Sequence, residues 1–191
     1  MPHKFDPAHM ARLDSPERRK LLPPDEILES FGLSDGEIVV DVGTGVGFFA
    51  FEAARMVGST GHVYALDTSE DMLAELSRRI KDSSRGNVSA LRSGDYELPL
   101  GAGIADFALL STVLHEVDEP ERFLREIRRV LKPGGRIGVV EWSPNRPNHG
   151  HGHPEWLAPE ATLSLLGQAD FADLSQDELN ESAYLTRGVK V

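Results

Sequence analysis

Two carboxylates that bracket a run of glycines carry the first chemical signal in this chain. Asp41 ends a β-branched run and is followed by Gly43, Thr44, Gly45 and Gly47, with a glycine at every second position. Asp67 ends a second apolar run, 20 residues beyond Gly47. Glycine has no Cβ, so such a turn brings backbone into contact with an extended small ligand. A carboxylate at position 67 can accept both hydroxyls of a ribose in charge-assisted hydrogen bonds. The dinucleotide spacing G-x-G-x-x-G fails because Phe48 stands where the third glycine belongs, and no Gly-Lys-Ser/Thr of a P-loop follows. Asp41 adds negative potential beside the turn, which suits a ligand bearing an ammonium and a sulfonium better than one bearing a pyrophosphate.

These residues have to be presented by alternating strands and helices. Residues 38–41 read as a first strand, 48–57 as a helix closed by Gly58, and 62–67 as a second strand. Thr68 and Asp71 have capping-box spacing ahead of a helix with Met72, Leu73, Leu76 and Ile80 on one face. A weaker third strand is expected at 87–91, and a fourth at 104–110 is apolar enough to be covered on both faces. From Pro120 the stripe Phe123, Leu124, Ile127, Val130 and Leu131 predicts a helix packed on a sheet. The run 132–135 reads as its stop, 136–141 as a fifth strand, 157–168 as a further helix, and 171–174 with 184–191 as a closing hairpin. Residues 1–31, punctuated by five prolines, read as short helical pieces with too few apolar side chains for a core of their own. A lid or flap over the main body is one reading of them, and a mobile tail is the other.

Composition excludes several classes. The 191 residues suit one domain, with the lid at 1–31 and the ligand-binding core at 36–191. A net charge of -11, from 31 acidic against 20 basic side chains, repels polyphosphate and argues against a nucleic-acid partner. The basic cluster Arg18-Arg19-Lys20 reads as a solvated helix face. There are no cysteines, so disulfides, thiolate metal sites and cysteine nucleophiles are ruled out. No signal-like segment and no apolar run of membrane-spanning length occurs, so a soluble cytoplasmic protein without membrane insertion is expected.

The motif series resembles the class I S-adenosylmethionine-dependent methyltransferases. The resemblance runs through Val40 to Gly47, Ala65-Leu66-Asp67-Thr68-Ser69 and Gly94-Asp95-Tyr96-Glu97-Leu98-Pro99. It continues in Asp106 to Leu110 with Leu114-His115-Glu116-Val117, and in Val130-Leu131-Lys132-Pro133-Gly134-Gly135-Arg136, covering roughly residues 36 to 141. It implies an α/β, Rossmann-like doubly wound fold. The sheet would be mostly parallel and seven-stranded, with one antiparallel strand from the C-terminal hairpin. It also implies roles. Gly43, Thr44, Gly45 and Gly47 would face the methionine part of S-adenosylmethionine, and Asp41 would hold its amino group. Asp67 with Thr68 would serve the ribose, and Ser69 and Met72 would flank the adenine. Asp95, with Gly94 and Tyr96 beside it, would meet the adenine amino group. Ser111 and Thr112 would line the cofactor's carboxylate and methyl region. S-adenosylhomocysteine would be the product.

Methyl transfer is an in-line displacement that needs a general base only when the acceptor must lose a proton. In an open α/β sheet that base belongs at the carboxyl ends of the strands, which points to His115, Glu116 and Glu141. His115 leads because its ordinary pKa lies near neutrality, the other reading being that it packs beside the cofactor or caps a turn. Glu141 could instead hold the lid or the substrate. His149, His151 and His153 alternate as a metal site can, but the interleaved glycines and flanking prolines favour a polar loop, so no metal is assigned. Missing cysteines also exclude enzymes that methylate arsenic through thiolates. The expected partner is a small-molecule acceptor, and the expected state a monomer or homodimer. A non-catalytic S-adenosylmethionine-binding module and an NAD-dependent oxidoreductase are the alternatives.

Overall fold

The computed structural model describes residues 7–83, 85–146 and 156–191. A 3-10 segment, Pro7–Asp14, leads into α1 (Pro16–Leu21) and α2 (Pro24–Ser30). The alternation then runs β1 (Ile38–Val42), α3 (Ala50–Met56), β2 (His62–Asp67), α4 (Glu70–Ser83), β3 (Val88–Arg92) and β4 (Ala105–Ser111). After a second 3-10 turn, Leu114–Glu116, come α5 (Pro120–Val130), β5 (Leu131–Trp142), α6 (Pro159–Gln168), β6 (Phe171–Asn180) and β7 (Ala183–Lys190).

The seven strands form one sheet in the order β3-β2-β1-β4-β5-β7-β6. Neighbours among β1 to β5 are parallel, and β7 is antiparallel to both β5 and β6. The expected doubly wound sheet with one antiparallel strand is therefore present. Strand order reverses between β1 and β4, so the glycine turn after β1 lies at the switch point where open α/β sheets bind ligands.

Alternation along the strands divides the core. Val39, Val63, Ala65, Phe107, Leu109 and Val140 face one cluster, which α2, α3 and Leu76 of α4 complete. Val40, Val42, Leu66, Ala108, Leu110, Ile137 and Val139 face the other, against α5 and α6. Leu22, Ile27 and Leu28 are wholly buried, so α2 packs as part of the first cluster.

Three local expectations are corrected. Helix α4 begins at Glu70, so Ser69 rather than Thr68 supplies the capping oxygen, accepting from Met72 N at 3.4 Å. The run 132–135 stops α5 but continues as the first part of β5, where Gly134 has a φ of 76° and the pairing with β4 shifts register. The strand starting at Phe171 runs to Asn180, because it is a polar edge strand that pairs with β7 without needing an apolar face.

Gly138 sits where β5 passes between two rings. A Cβ there would meet Phe31 at 2.8 Å and Phe107 at 2.9 Å. Gly138→Ala is expected to destabilise the fold by about 1–3 kcal/mol through overpacking. Urea unfolding checks this, and a loss below about 0.5 kcal/mol would show that the rings yield freely.

Candidate active site

Parallel pairing brings the ends of β1, β2, β4 and β5 to one edge, and most of the candidate residues stand there. Asp41 is buried, and its Oδ2 accepts from Thr44 Oγ1 at 2.6 Å. Burial, and to a lesser degree the charge of Asp67, push its carboxyl up to about 7, against the opposing effects of the Thr44 hydrogen bond and Arg18. Asp67 is half-buried; its Oδ2 accepts from Gly45 N at 2.8 Å and its Oδ1 from Ser69 N at 2.9 Å. A carboxylate has about four acceptor sites, so two remain for hydroxyls. The turn itself has no room for side chains: a Cβ on Gly43 would lie 2.4 Å from Val113, and one on Gly47 would lie 2.6 Å from Leu76. All three glycines have positive φ.

Met72 is buried at the start of α4, with Thr68 half-buried just ahead of it. Gly94 and Asp95 are exposed after β3, and Gly94 N bonds Glu97 O at 2.9 Å. Tyr96 turns its hydroxyl to Glu119 N, from which it accepts at 3.1 Å, and carries Arg122 over its ring. Ser111 is buried, with its Oγ unpartnered among the described residues. Thr112 has a φ of 57°, a left-handed conformation costly for a β-branched residue and one that recurs at functional sites.

The three catalytic candidates form a group. Glu141 is 1% exposed, its Oε1 accepting from Leu114 N at 2.9 Å and His115 N at 3.3 Å. Its Oε2 lies 2.6 Å from His115 Nδ1. Glu116 Oε1 is 3.9 Å from His115 Nε2. Across the β5–β7 ladder Tyr184 pairs with Glu141; its hydroxyl donates to Leu157 O at 2.8 Å and bonds Thr162 Oγ1 at 2.8 Å. Burial, more than the charges of Glu141 and Glu160, raises the Tyr184 pKa and keeps the phenol neutral.

The N-terminal residues cover this edge. Leu13 Cδ1 is 3.2 Å from where a Cβ on Gly45 would stand. Asp14 pairs with Arg79 of α4 at 2.7 Å and with Arg19 at 2.5 Å. Arg18 donates to Thr112 Oγ1 at 3.3 Å and lies 5.0 Å from the centre of the Phe48 ring. The 18–20 cluster is thus not a uniformly solvated face, because α1 turns Arg18 onto the strand edge. His149, His151 and His153 lie outside the described residues. Among the described residues no three potential ligands converge on a metal position, and no helix is long and apolar enough to cross a membrane.

A methyltransferase-domain family matches residues 40–139. A solved S-adenosylmethionine-dependent methyltransferase from Aquifex aeolicus is 31% identical and superposes with a TM-score of 0.94, over 98% of this chain and 100% of that one. The chain belongs to the S-adenosylmethionine-dependent methyltransferases. A ubiquinone/menaquinone biosynthesis C-methyltransferase, UbiE, from Vibrio vulnificus is 35% identical over 117 residues, 61% of this chain. That stretch is 45% of the relative's length, so the chain spans about half of the curated relatives it matches. The [4+2]-cyclase SpnF, at 21% identity and a TM-score of 0.78 over 91% of this chain and 81% of its own, shares the fold alone.

The groups at the edge of this methyltransferase fit its cofactor. A turn with three glycines suits close approach of an amino-acid moiety, buried Asp41 can meet an ammonium, and half-buried Asp67 retains lone pairs for hydroxyls.

Asp41 links the site to stability. Its folded-state pKa of about 7 lies above the ordinary 3.8, so between those values the folded protein holds a proton that the unfolded chain releases. Stability is therefore lost as pH rises through that window, by up to about 4 kcal/mol without ligand. Asp41→Asn should remove most of this slope and gain on the wild type from pH 4 to 7. Urea unfolding across that range decides it, and parallel profiles for the two proteins would refute the assignment.

Proposed function

We propose that this protein transfers a methyl group from S-adenosylmethionine to a small-molecule acceptor whose reacting group must lose a proton. The observation that carries the proposal is the fixed pair of His115 and buried Glu141 beside the glycine turn. When bound, the cofactor supplies a methyl carbon activated by the positive sulfur.

Asp67 would accept both ribose hydroxyls, with Thr68 alongside, and Asp41 would hold the ammonium. Met72, Ser69, Gly94 and Asp95 would border the adenine, with Tyr96 holding the loop in place through Glu119. Residues 7–22 would act as the lid that excludes water from the transfer.

His115 would be the catalytic base and Glu141 its positioning residue. Glu141 Oε1 is engaged by two backbone N–H groups, so Oε2 accepts from His115 Nδ1–H. That fixes the tautomer with the proton on Nδ1 and makes Nε2 the basic nitrogen, the atom that would take the acceptor proton. Glu116, near the same Nε2, would favour the imidazolium that results. The UbiE relatives, named for C-methylation in quinone biosynthesis, make a phenol or quinol ring the first acceptor to test. Loss of the O–H proton raises the nucleophilicity of both the oxygen and the ring carbons.

A screen of phenols, quinols, amines and carboxylates with methyl-labelled cofactor tests the reading. Labelled product from an acidic O–H acceptor is expected. Cofactor binding without transfer to any class would instead favour a non-catalytic binding module.

Two substitutions separate the roles. Asp67→Ala should weaken binding of S-adenosylhomocysteine by on the order of 2–3 kcal/mol through loss of two hydroxyl contacts. Unchanged affinity in calorimetry would move the ribose elsewhere. Glu141→Gln presents an N–H to His115 Nδ1 and so forces the proton onto Nε2. It should lower kcat by about 10²–10⁴-fold while leaving cofactor affinity intact. A kcat within about threefold of wild type would exclude His115 as the base.

A further inference from the structure

Arg18 is a half-buried cation, its Nε wholly out of water, that the reaction outlined above leaves without a task. Its neighbour Arg19 pairs with Asp14 at 2.5 Å, and Arg79 pairs with the same carboxylate at 2.7 Å. Arg18 has no such partner: among the described residues no carboxylate lies within ion-pair distance of its guanidinium, and its buried Nε makes no hydrogen bond. Its recorded hydrogen bond is a long one, 3.3 Å, to the neutral hydroxyl of Thr112. Taking a guanidinium out of water without a carboxylate is costly, and a position that keeps one is matched to an anion that arrives from outside.

The surroundings specify which anion. Helix α1 is set by Ser15, whose Oγ accepts from Arg18 N at 3.2 Å, and by Pro16 at its first position. This carries the side chain across the Phe48 ring, next to Gly47, to the end of β4. There Ser111 Oγ is also buried and unpartnered among the described residues. Ser111 follows Leu110, which pairs with Val42, so it stands level with the start of the glycine turn. Three donor groups, on Arg18, Ser111 and Thr112, thus gather beside the turn, while the acceptor Asp41 lies on the neighbouring strand. Burial, and next the repulsion of Arg146, lower the Arg18 pKa to about 10, whereas Asp14 and Asp41 oppose the change. A second guanidinium nearby strengthens the demand for negative charge. A carboxylate at the donors with an ammonium at Asp41 is the pattern of an α-amino acid.

We infer that Arg18 is the receptor for the carboxylate of the cofactor's methionine moiety, received on the lid and shared with the hydroxyls of Ser111 and Thr112. The inference rests on the cofactor reading given above. It makes lid closure and cofactor binding one event, since the charge that holds the ligand is carried by α1.

A ligand–variant cycle tests it by calorimetry, independently of turnover. Wild type and Arg18→Met are each titrated with S-adenosylhomocysteine and with its decarboxylated form, which keeps the amine and the nucleoside. Wild type should prefer the carboxylate-bearing ligand by about 10- to 100-fold, as expected for a charge-assisted hydrogen bond. In Arg18→Met the preference should fall to within about threefold, and Arg18→Lys should lie between the two. If Arg18→Met melts before the measurement, the Arg18→Lys comparison decides alone. A preference that survives substitution at Arg18 overturns the inference and leaves the cofactor site standing. Failure of wild type to bind S-adenosylhomocysteine removes both.

Discussion

Burial of the Glu141 carboxylate is the constraint on which the edge of the sheet depends. A carboxylate that is 1% exposed has to be met by donors, because its desolvation is otherwise uncompensated. The segment after β4 supplies them by folding back as the 3-10 turn Leu114–Glu116, which aims two backbone N–H groups and one imidazole N–H at Glu141. The reversal starts at Thr112, held left-handed while its N–H bonds Val140 O at 2.7 Å. The same bend drives Val113 against Gly43, where no Cβ fits. The glycine at 43 is therefore required by the protein's own packing, and the turn and the position of His115 are shaped by one bend.

Three carboxylates stand at this edge with three degrees of engagement, which separates their tasks. Glu141 is the most fully engaged, taking three hydrogen bonds from Leu114 N, His115 N and His115 Nδ1. Asp41 is as deeply buried but takes one side-chain hydrogen bond, from Thr44, and its raised pKa follows from that burial. An ammonium placed there would replace the proton and draw the pKa down again, so ligand binding and carboxyl ionisation are coupled. Asp67 uses two acceptor sites on the backbone of Gly45 and Ser69 and remains half-exposed. Those two bonds hold the glycine turn to the end of β2 and so fix the distance between the turn and this carboxylate.

Much of this was legible in the sequence for identifiable reasons. Central strands announced themselves as β-branched runs closed by glycine or an acid, and the α5 stripe named its buried face before the structure did. What escaped detection was decided by pairing rather than by local composition. The strand starting at Phe171 runs on through polar residues because an edge strand needs only a ladder partner. Lys132 to Gly135 extends β5 because Leu131 pairs with Ala105 before the shift in register. Arg18 was hidden in a run of three cations. The available signal was its spacing from Leu21 and Leu22, three and four positions on, which shares its helical face with a wholly buried leucine. Asp106 stands near the start of β4, away from the site. It accepts from Ile38 N at 2.9 Å and pairs with Lys132 at 2.7 Å, at the edge opposite the site.

The cyclase that shares this fold at 21% identity shows that the fold leaves the reaction open. What narrows it here is how local charge departs from the charge of the whole. The protein carries a net -11, yet Arg18 and Arg146 lie close enough at the covered edge to repel each other. Arg146 also sits 3.8 Å from the centre of the Trp142 ring, just past Glu141. A cation stacked on an aromatic face thus closes β5 just past Glu141. Positive charge is therefore gathered at this edge under a surface that is negative as a whole. Charge of that sign, set against the trend of the whole surface, is something the fold alone does not supply.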